Sequence, residues 1–311
     1  MIAREYREYK VVAFITAYLD SSALMKIIPL IESQTFPVAE IFIIDNSPDL
    51  LIRTQASHIK IRHFPNNVGV AGGLLEGFRE VLESKYDFLW MFDQDSEPAE
   101  NCLEELLNFW QKAKYVERLP VGIVSPLVFD ANTYRHIGGA IFEKFRFREK
   151  LPSLTDCQSF MECDSPITSG SLFSVEVIKK DFSPRRELFM DGVDLDYGMQ
   201  LRRNGFQNFI VKAAKMNHRL GSPLKIRFWG KELLVQNYSP IRTYYFFRNH
   251  TYLEIYYSSG ALNKGVAVLR RIAYMVRGIL AAIIICDKKI NRVRACFMGT
   301  LSGLFGVLER I

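Results

Sequence analysis

Cysteine is scarce in this chain and shows no metal or redox pattern. Its five residues (Cys102, Cys157, Cys163, Cys286 and Cys296) are irregularly spaced, with no C-x-x-C among them. That argues against a zinc ribbon or a thioredoxin-like pair, and without a disulfide framework a reducing compartment is expected. There is no G-x-S-x-G nucleophile elbow and no Cys–His signature, so nucleophilic hydrolase chemistry has no support. Low-complexity tracts and internal repeats are missing too. The most apolar late stretch, VAVLRRIAYMVRGILAAIIIC (266–286), is about the length of a membrane span, but Arg270, Arg271 and Arg277 interrupt it. Arginine at the bilayer centre is costly, so an interfacial or core helix is expected. The first residues, MIAREYREYK, are too polar for a secretory signal. Acidic residues are short in one region only. Residues 210–311 hold 4 Asp+Glu against 17 Lys+Arg, whereas residues 1–209 hold 30 against 23. Such a split suggests that the basic part meets an anionic surface or ligand, although a solvated basic tail would look the same.

What the chain does have is alternation. VVAFIT (11–16) reads as a buried strand, and Ser21 and Ser22 stand where a helix running to about Gln34 would be capped. IFIIDN (41–46), HIKIRHF (58–64) and FLWMF (88–92) read as further strands. Between the last two, VGVAGGLLEGFREVLES (68–84) is a glycine-rich turn entering a helix. Ala99 to about Val116 carries Leu103, Leu106, Leu107 and Trp110 at helical spacing, and GIVSPLVF (122–129) is another strand. The expected class is α/β: a Rossmann-like, mostly parallel sheet flanked by helices, which binds ligands beyond the carboxyl ends of its strands. RHIGGAIFEKFRFREK (135–150) resembles a hairpin, ITSGSLFSV (167–175) a glycine-containing strand, and residues 195–205 a helix closed by Gly205. From residue 239 the chain turns aromatic and basic (SPIRTYYFFRNHTYLEIYY), followed by two helical stretches. We place a catalytic domain at 1–225 and a helical extension at 226–311.

Four stretches could carry chemistry. Asp93 and Asp95, in FLWMFDQDSEP, are placed to approach one hard divalent cation, or Asp95 caps a helix. NNVGVAGG (66–73) brings backbone close to a ligand or packs a helix tightly on the sheet. Asp191, Asp194 and Asp196 precede a helix; they suit its dipole, and one could serve as a general base. His218, in NHRLGS, joins the aspartates as a candidate metal ligand or phosphate contact.

The order IIDNS, NNVGVAGG, FDQDSEP, TSGSLFS, VDLDYGMQLRRNGF, NHRLGS resembles the family 2 glycosyltransferases, and more narrowly their bacterial rhamnosyltransferase-like branch, over roughly residues 10–222. The resemblance implies a GT-A fold with a C-terminal helical extension, and an inverting, Mg²⁺- or Mn²⁺-dependent transfer from a nucleotide sugar. It assigns Asp45 to the nucleobase, and Asn67 and Gly69 to the nucleotide. Asp93 falls near ribose and metal, Asp95 on the metal, Asp194 at the catalytic base, and His218 at a third metal ligand or the diphosphate. Val193 replaces a common Glu, and Gln200 a common Arg for which Arg202 or Arg203 could stand in; ITAYLD departs from the usual turn after the first strand. The branch implies dTDP-L-rhamnose as donor, with UDP-galactofuranose or UDP-glucose as alternatives, and a hydroxyl of a lipid-linked saccharide as acceptor, in cell-surface polysaccharide synthesis such as that of O-antigen. The basic, aromatic tail suits peripheral attachment to the inner face of the cell membrane from the cytoplasm. Oligomeric state stays open. A haloacid-dehalogenase-type phosphohydrolase has D-x-D too, but Glu97 stands where it needs Thr or Val. A nucleotidyltransferase lacks its Arg-containing loop here. A non-catalytic basic membrane- or nucleic-acid-binding protein leaves the acidic residues unexplained, so no nucleic-acid partner is expected.

Overall fold

In the computed structural model, residues 9–155, 157–180, 182–219, 221, 224–228, 231–235, 237–285 and 288–310 are described. Leu220 and Ser222 of the NHRLGS stretch, Cys286 and the first eight residues lie outside them.

β1 (Val11–Ala17) is buried at all seven positions because both faces of the sheet are covered. Val11, Ala13 and Ile15 point to one face, against Leu24, Ile27 and Ile31 of α1 (Ser21–Glu32) and Leu103, Leu106 and Trp110 of α3 (Cys102–Gln111). Val12 and Phe14 point to the other, against Leu74, Phe78 and Val81 of α2 (Gly69–Glu83) and Leu195, Tyr197 and Leu201 of α5 (Val193–Arg203). The cap of α1 is Asp20, whose Oδ1 accepts the Ala23 N–H at 3.0 Å, rather than Ser21 or Ser22. A π-helical turn over Lys112–Val116 prolongs α3 to the expected end.

β2 (Glu40–Asp45), β3 (Ile59–His63) and β4 (Phe88–Asp93) join β1 in parallel, in the order β3-β2-β1-β4. β6 (Val121–Asp130) and β12 (Gln207–His218) form a second parallel pair. The sheet is less parallel than expected. β11 (Leu172–Ser174) is antiparallel to both β4 and β6 and stitches the two blocks together. It is short because residues 167–171 form a turn, with Gly170 at φ 77° and the Ser171 hydroxyl donating to the Ile167 carbonyl. β10 (Phe160–Cys163) is the antiparallel edge strand beyond β12. β5 (Ser96–Pro98) and β7 (His136–Ile137) pair with the ends of β12 and β6. The expected 135–150 hairpin is β8 (Gly139–Glu143) with β9 (Arg146–Lys150). The short α4 (Val175–Ile178) follows β11, and the hairpin of β13 (Leu224–Phe228) and β14 (Lys231–Val235) lies across residue 225.

The C-terminal helices are α6 (Pro240–Tyr257), α7 (Gly260–Ile285) and α8 (Lys289–Leu304). α6 shows no amphipathic stripe because it is buried on several sides. Tyr245 and Phe247 face its helical neighbours and the 189 turn, and Leu253 and Tyr257 join the core of the sheet layer. A side chain at Gly299 or Gly303 of α8 would collide with the α6 backbone carbonyls of Tyr244 and Arg248, which is what lets α6 and α8 approach so closely. Among the described residues no helix is long and apolar enough to cross a membrane.

Candidate active site

A cavity of about 570 Å³ opens beyond the carboxyl ends of β1, β2 and β4, the side on which α/β sheets bind ligands. Tyr18, Asn46, Asn67, Gly69, Asp93, Gln94, Asp95, Asp191, His218, Arg242 and Arg310 are among its lining residues. Asp93 ends β4, and the turn Gln94-Asp95 leads into β5. Because β5 runs antiparallel to the end of β12, His218 lies opposite Ser96. This pairing carries residue 218 to residue 95. His218 Nδ1 lies 3.5 Å from Asp95 Oδ1 and 2.9 Å from the Ser96 hydroxyl, which meets the Ser169 hydroxyl at 2.6 Å. Ser169 also accepts the Asp93 N–H at 2.9 Å. Gln94 pins the neighbouring strand end, donating to the Tyr18 carbonyl and accepting the Tyr18 N–H. Asp95 does not cap a helix, since β5 follows it and α3 starts only at Cys102.

One donor atom each from Asp93, Asp95 and His218 lies within 4.8 Å of the others. Two carboxylate oxygens and an imidazole nitrogen fit a hard divalent cation, with ligand positions left for substrate oxygens. The electrostatics agree. Burial raises the Asp93 carboxyl above its usual range, and Asp95 and Asp191 raise it further, against His218 and Arg242. Asp191 is raised by burial, opposed by its ion pair with Arg242 at 3.2 Å. Asp194 is pushed up to about 6, mainly by burial, with added repulsion from Asp191 and Asp93. A cation at this cluster would relieve what the protein's own charges leave uncompensated.

Asp191 and Asp194 owe their position to a strained turn. Phe189 (φ 61°), Asp191 (φ 52°) and Gly192 (φ 77°) all lie at positive φ, which costs of order 1–3 kcal/mol at each non-glycine residue and persists only under outside restraint. Gly69 is what lets this turn approach, because a side chain there would collide with Phe189. Asn67 Oδ1 accepts the Gly69 N–H at 2.8 Å. The third aspartate of the stretch, Asp196, is fully buried and structural. It meets Arg185 (3.2 Å), Tyr257 (2.7 Å) and Gln200 (2.9 Å). Gln200 therefore supports Asp196 and does not reach the cavity.

Asp45 is not on the cavity wall. Its carboxylate is buried under the following loop, accepting the N–H groups of Ser47 (2.9 Å) and Leu51 (2.6 Å), and Asn46 lines the cavity instead. Arg202 and Arg203 do not stand in for the arginine missing at 200. α5 turns Arg202 toward Glu162 and Asp164, and Arg203 toward the Tyr257 carbonyl. The cavity's arginines come from elsewhere: Arg219 directly after β12, Arg242 from α6 and Arg310 from the tail beyond α8. None was singled out from sequence. The excess of carboxylates was the available signal, because such a cluster calls for cations.

A family model described as "Glycosyl transferase family 2" matches residues 13–165, which run from within β1 to just past β10 and include the D-x-D turn. The dTDP-rhamnosyl transferase RfbF of Shigella flexneri is 24% identical over 274 residues, covering 86% of each chain. Among solved structures, GalNAc-T7 with UDP, GalNAc and Mn²⁺ aligns with a TM-score of 0.57 at 14% identity, over 79% of this chain. This chain spans about half the GalNAc-T7 chain, 48% of its length. The N-terminal part of S. aureus TarS (1–349) in complex with UDP aligns at 12% identity with a TM-score of 0.49, over 96% of this chain and 83% of that one. With the family model, the RfbF match and a ligand cavity at the strand ends, residues 13–165 are a family 2 glycosyltransferase domain, in a glycosyltransferase chain that is similar to a dTDP-rhamnosyl transferase and has the GT-A fold it shares with GalNAc-T7.

Proposed function

We propose that this glycosyltransferase moves a sugar from a nucleoside diphosphate to an acceptor hydroxyl with inversion, in a Mg²⁺- or Mn²⁺-dependent reaction. The observation that carries this reading is the convergence of Asp93, Asp95 and His218 within 4.8 Å, with Asp194 raised to about 6 beside them. Asp93, Asp95 and His218 would hold the cation, which when bound offsets the negative charge on the departing diphosphate. The half-buried Asp194 carboxylate takes the acceptor hydroxyl's proton. The freed electron pair forms the new bond to the anomeric carbon as the bond to the diphosphate oxygen breaks. A base with a pKa near 6 is largely ionised at neutral pH yet more basic than an ordinary aspartate. Arg242 and Arg310 bring positive charge to the same cavity, and Asn67 and Gly69 bring a turn that can lie against the nucleotide. Asp45 acts on the base only through the loop it holds.

The favoured donor is dTDP-L-rhamnose, supported by the similarity to RfbF. UDP-galactofuranose and UDP-glucose are the second reading, since GalNAc-T7, solved with UDP, has the same fold. The acceptor is a lipid-linked saccharide of cell-surface polysaccharide synthesis. The enzyme works from the cytoplasm, attached peripherally to the inner membrane face through its C-terminal region. The exposed Leu262, Leu269, Leu280 and Ile283 of α7, together with the basic composition of residues 210–311, support that attachment. Calorimetry of nucleotide sugars with Mn²⁺ tests the reading: dTDP-L-rhamnose should bind, and binding should vanish with EDTA. If no nucleotide sugar bound with either Mg²⁺ or Mn²⁺, the donor and metal assignments would fail together.

A further inference from the structure

The aromatic, basic stretch at 239–257 contributes Ser239, Ile241 and Arg242 to the cavity, but its centre, Arg248-Asn249, does not line it: both side chains are fully buried. Arg248 has no carboxylate partner among the described residues. Its Nη2 donates to the Glu187 carbonyl at 2.5 Å, and its Nη1 donates to the carbonyls of Leu308 (3.2 Å) and Glu309 (2.8 Å). Its Nε donates to Asn249 Oδ1 at 2.8 Å. That bond orients the Asn249 amide, whose Nδ2 donates to the carbonyls of Leu188 (2.8 Å), Met190 (2.6 Å) and Asp191 (2.8 Å). Desolvation lowers the Arg248 pKa, against smaller opposing effects of Tyr244, Tyr245 and the Glu187 carboxylate. For packing alone, an apolar side chain would serve at lower cost.

What the pair gains is a connection between two separate segments of the site. One is the positive-φ turn that leads into Asp191 and Asp194. The other is the tail that delivers Arg310, whose Nη2 donates to the Asn66 carbonyl at 2.8 Å beside Asn67. We propose that Arg248 and Asn249 are positioning residues: from inside α6 they clamp the 187–191 turn to the 308–310 tail. They thereby set where Asp191 and Arg310 stand in the cavity, and where Asp194, three residues beyond Asp191, stands relative to them. The planar five-donor guanidinium can serve both segments at once, which a point-charge ammonium cannot.

The kinetic part rests on the transferase reading, so the test pairs kinetics with a readout that needs no turnover. Asn249→Asp keeps the side chain's shape but removes its N–H donors, and Arg248→Lys keeps the charge but loses the fork. Phe247→Ala, on the α7-facing side of α6, is a packing control. In the full chain, hydrogen exchange of peptides covering 187–194 and 305–310 should quicken at least about tenfold in the first two variants, with β1 and β4 unchanged. Binding of the donor with Mn²⁺ should stay within about threefold of wild type. Meanwhile kcat should fall about 100-fold, the scale of a displaced catalytic group. Unchanged exchange in both segments would overturn the clamp. So would an Asn249→Asp loss of kcat no greater than that of a Phe247→Ala protein of matched Tm. If wild type transfers no sugar, the functional reading fails while the exchange data still decide the clamp.

Discussion

Residues 1–209 carry more acid than base, 30 against 23, and residues 210–311 carry 17 basic side chains against 4 acidic ones. In sequence the two regions look like an enzyme with a separate basic tail. In the structure they meet at one cavity. The sheet region supplies Asp93, Asp95 and Asp191, with Asp194 near enough to feel the charges of Asp93 and Asp191, while the C-terminal region supplies Arg219, Arg242 and Arg310. Part of the charge split is therefore internal complementarity rather than a surface for an external anion. The same contrast appears in burial. Arg271 and Arg292 are buried within the helical region, whereas Leu262 and Leu269 of α7 are exposed.

Removing charge from the acidic side should have the largest effect. Asp194→Asn should lower kcat about 10³-fold, within the range for a lost general base, while donor affinity by calorimetry stays near wild type. Wild-type turnover would remove Asp194 from the reaction. Next comes Asp95→Asn, expected to weaken metal-dependent donor binding about 100-fold, read as the Mn²⁺ concentration needed for half-maximal binding. On the basic side, Arg242→Gln should weaken donor binding about tenfold, the scale of a lost charge-assisted contact. A loss as large as that of Asp95→Asn would make the two regions equal partners in donor binding.

The pH profile probes the same balance. As the proposed base, Asp194 would work ionised, and it is raised to about 6, so kcat should be level above that pH and fall about tenfold per unit below it. The folded protein holds this proton more tightly than the unfolded chain does, whose carboxyl titrates near 3.8. The group's contribution to stability is therefore full below about pH 4 and lost as pH rises through about 6, which thermal unfolding across that window would show. The smallest effect concerns the outer surface. Replacing Leu269 and Ile283 with Ser should reduce binding to anionic vesicles several-fold, since each buried methylene contributes roughly 0.8 kcal/mol, and leave turnover of a soluble acceptor unchanged. Unchanged vesicle binding would confine the role of the C-terminal region to the cavity.

The D-x-D turn was legible because Asp93 and Asp95 follow five apolar residues, and a buried strand must release its polar residues at its mouth. The strand–helix alternation was legible for the same reason: covering both faces of a sheet imposes continuous apolar strands and striped helices. The reading of Arg202 and Arg203 failed because helical spacing says which residues share a face without saying what that face meets. Ser96 and Ser169, which hold His218 and Asp93, gave no local signal; their roles arise from the pairing of β5 with β12 and from the turn before β11.

The sequence by itself determined the layered α/β architecture, the carboxylates at the end of β4 and the opposed charges of the two regions, since each follows from short-range pattern or composition. Only the tertiary structure decided that Asp191 lines the cavity while Asp196 is buried against Arg185, that Asp45 turns beneath its loop, and that the end of β12, α6 and the tail bring the cavity's arginines. Those outcomes depend on the direction of side chains between segments as far apart as Asn66 and Arg310, where chain connectivity imposes no constraint and packing imposes nearly all of it.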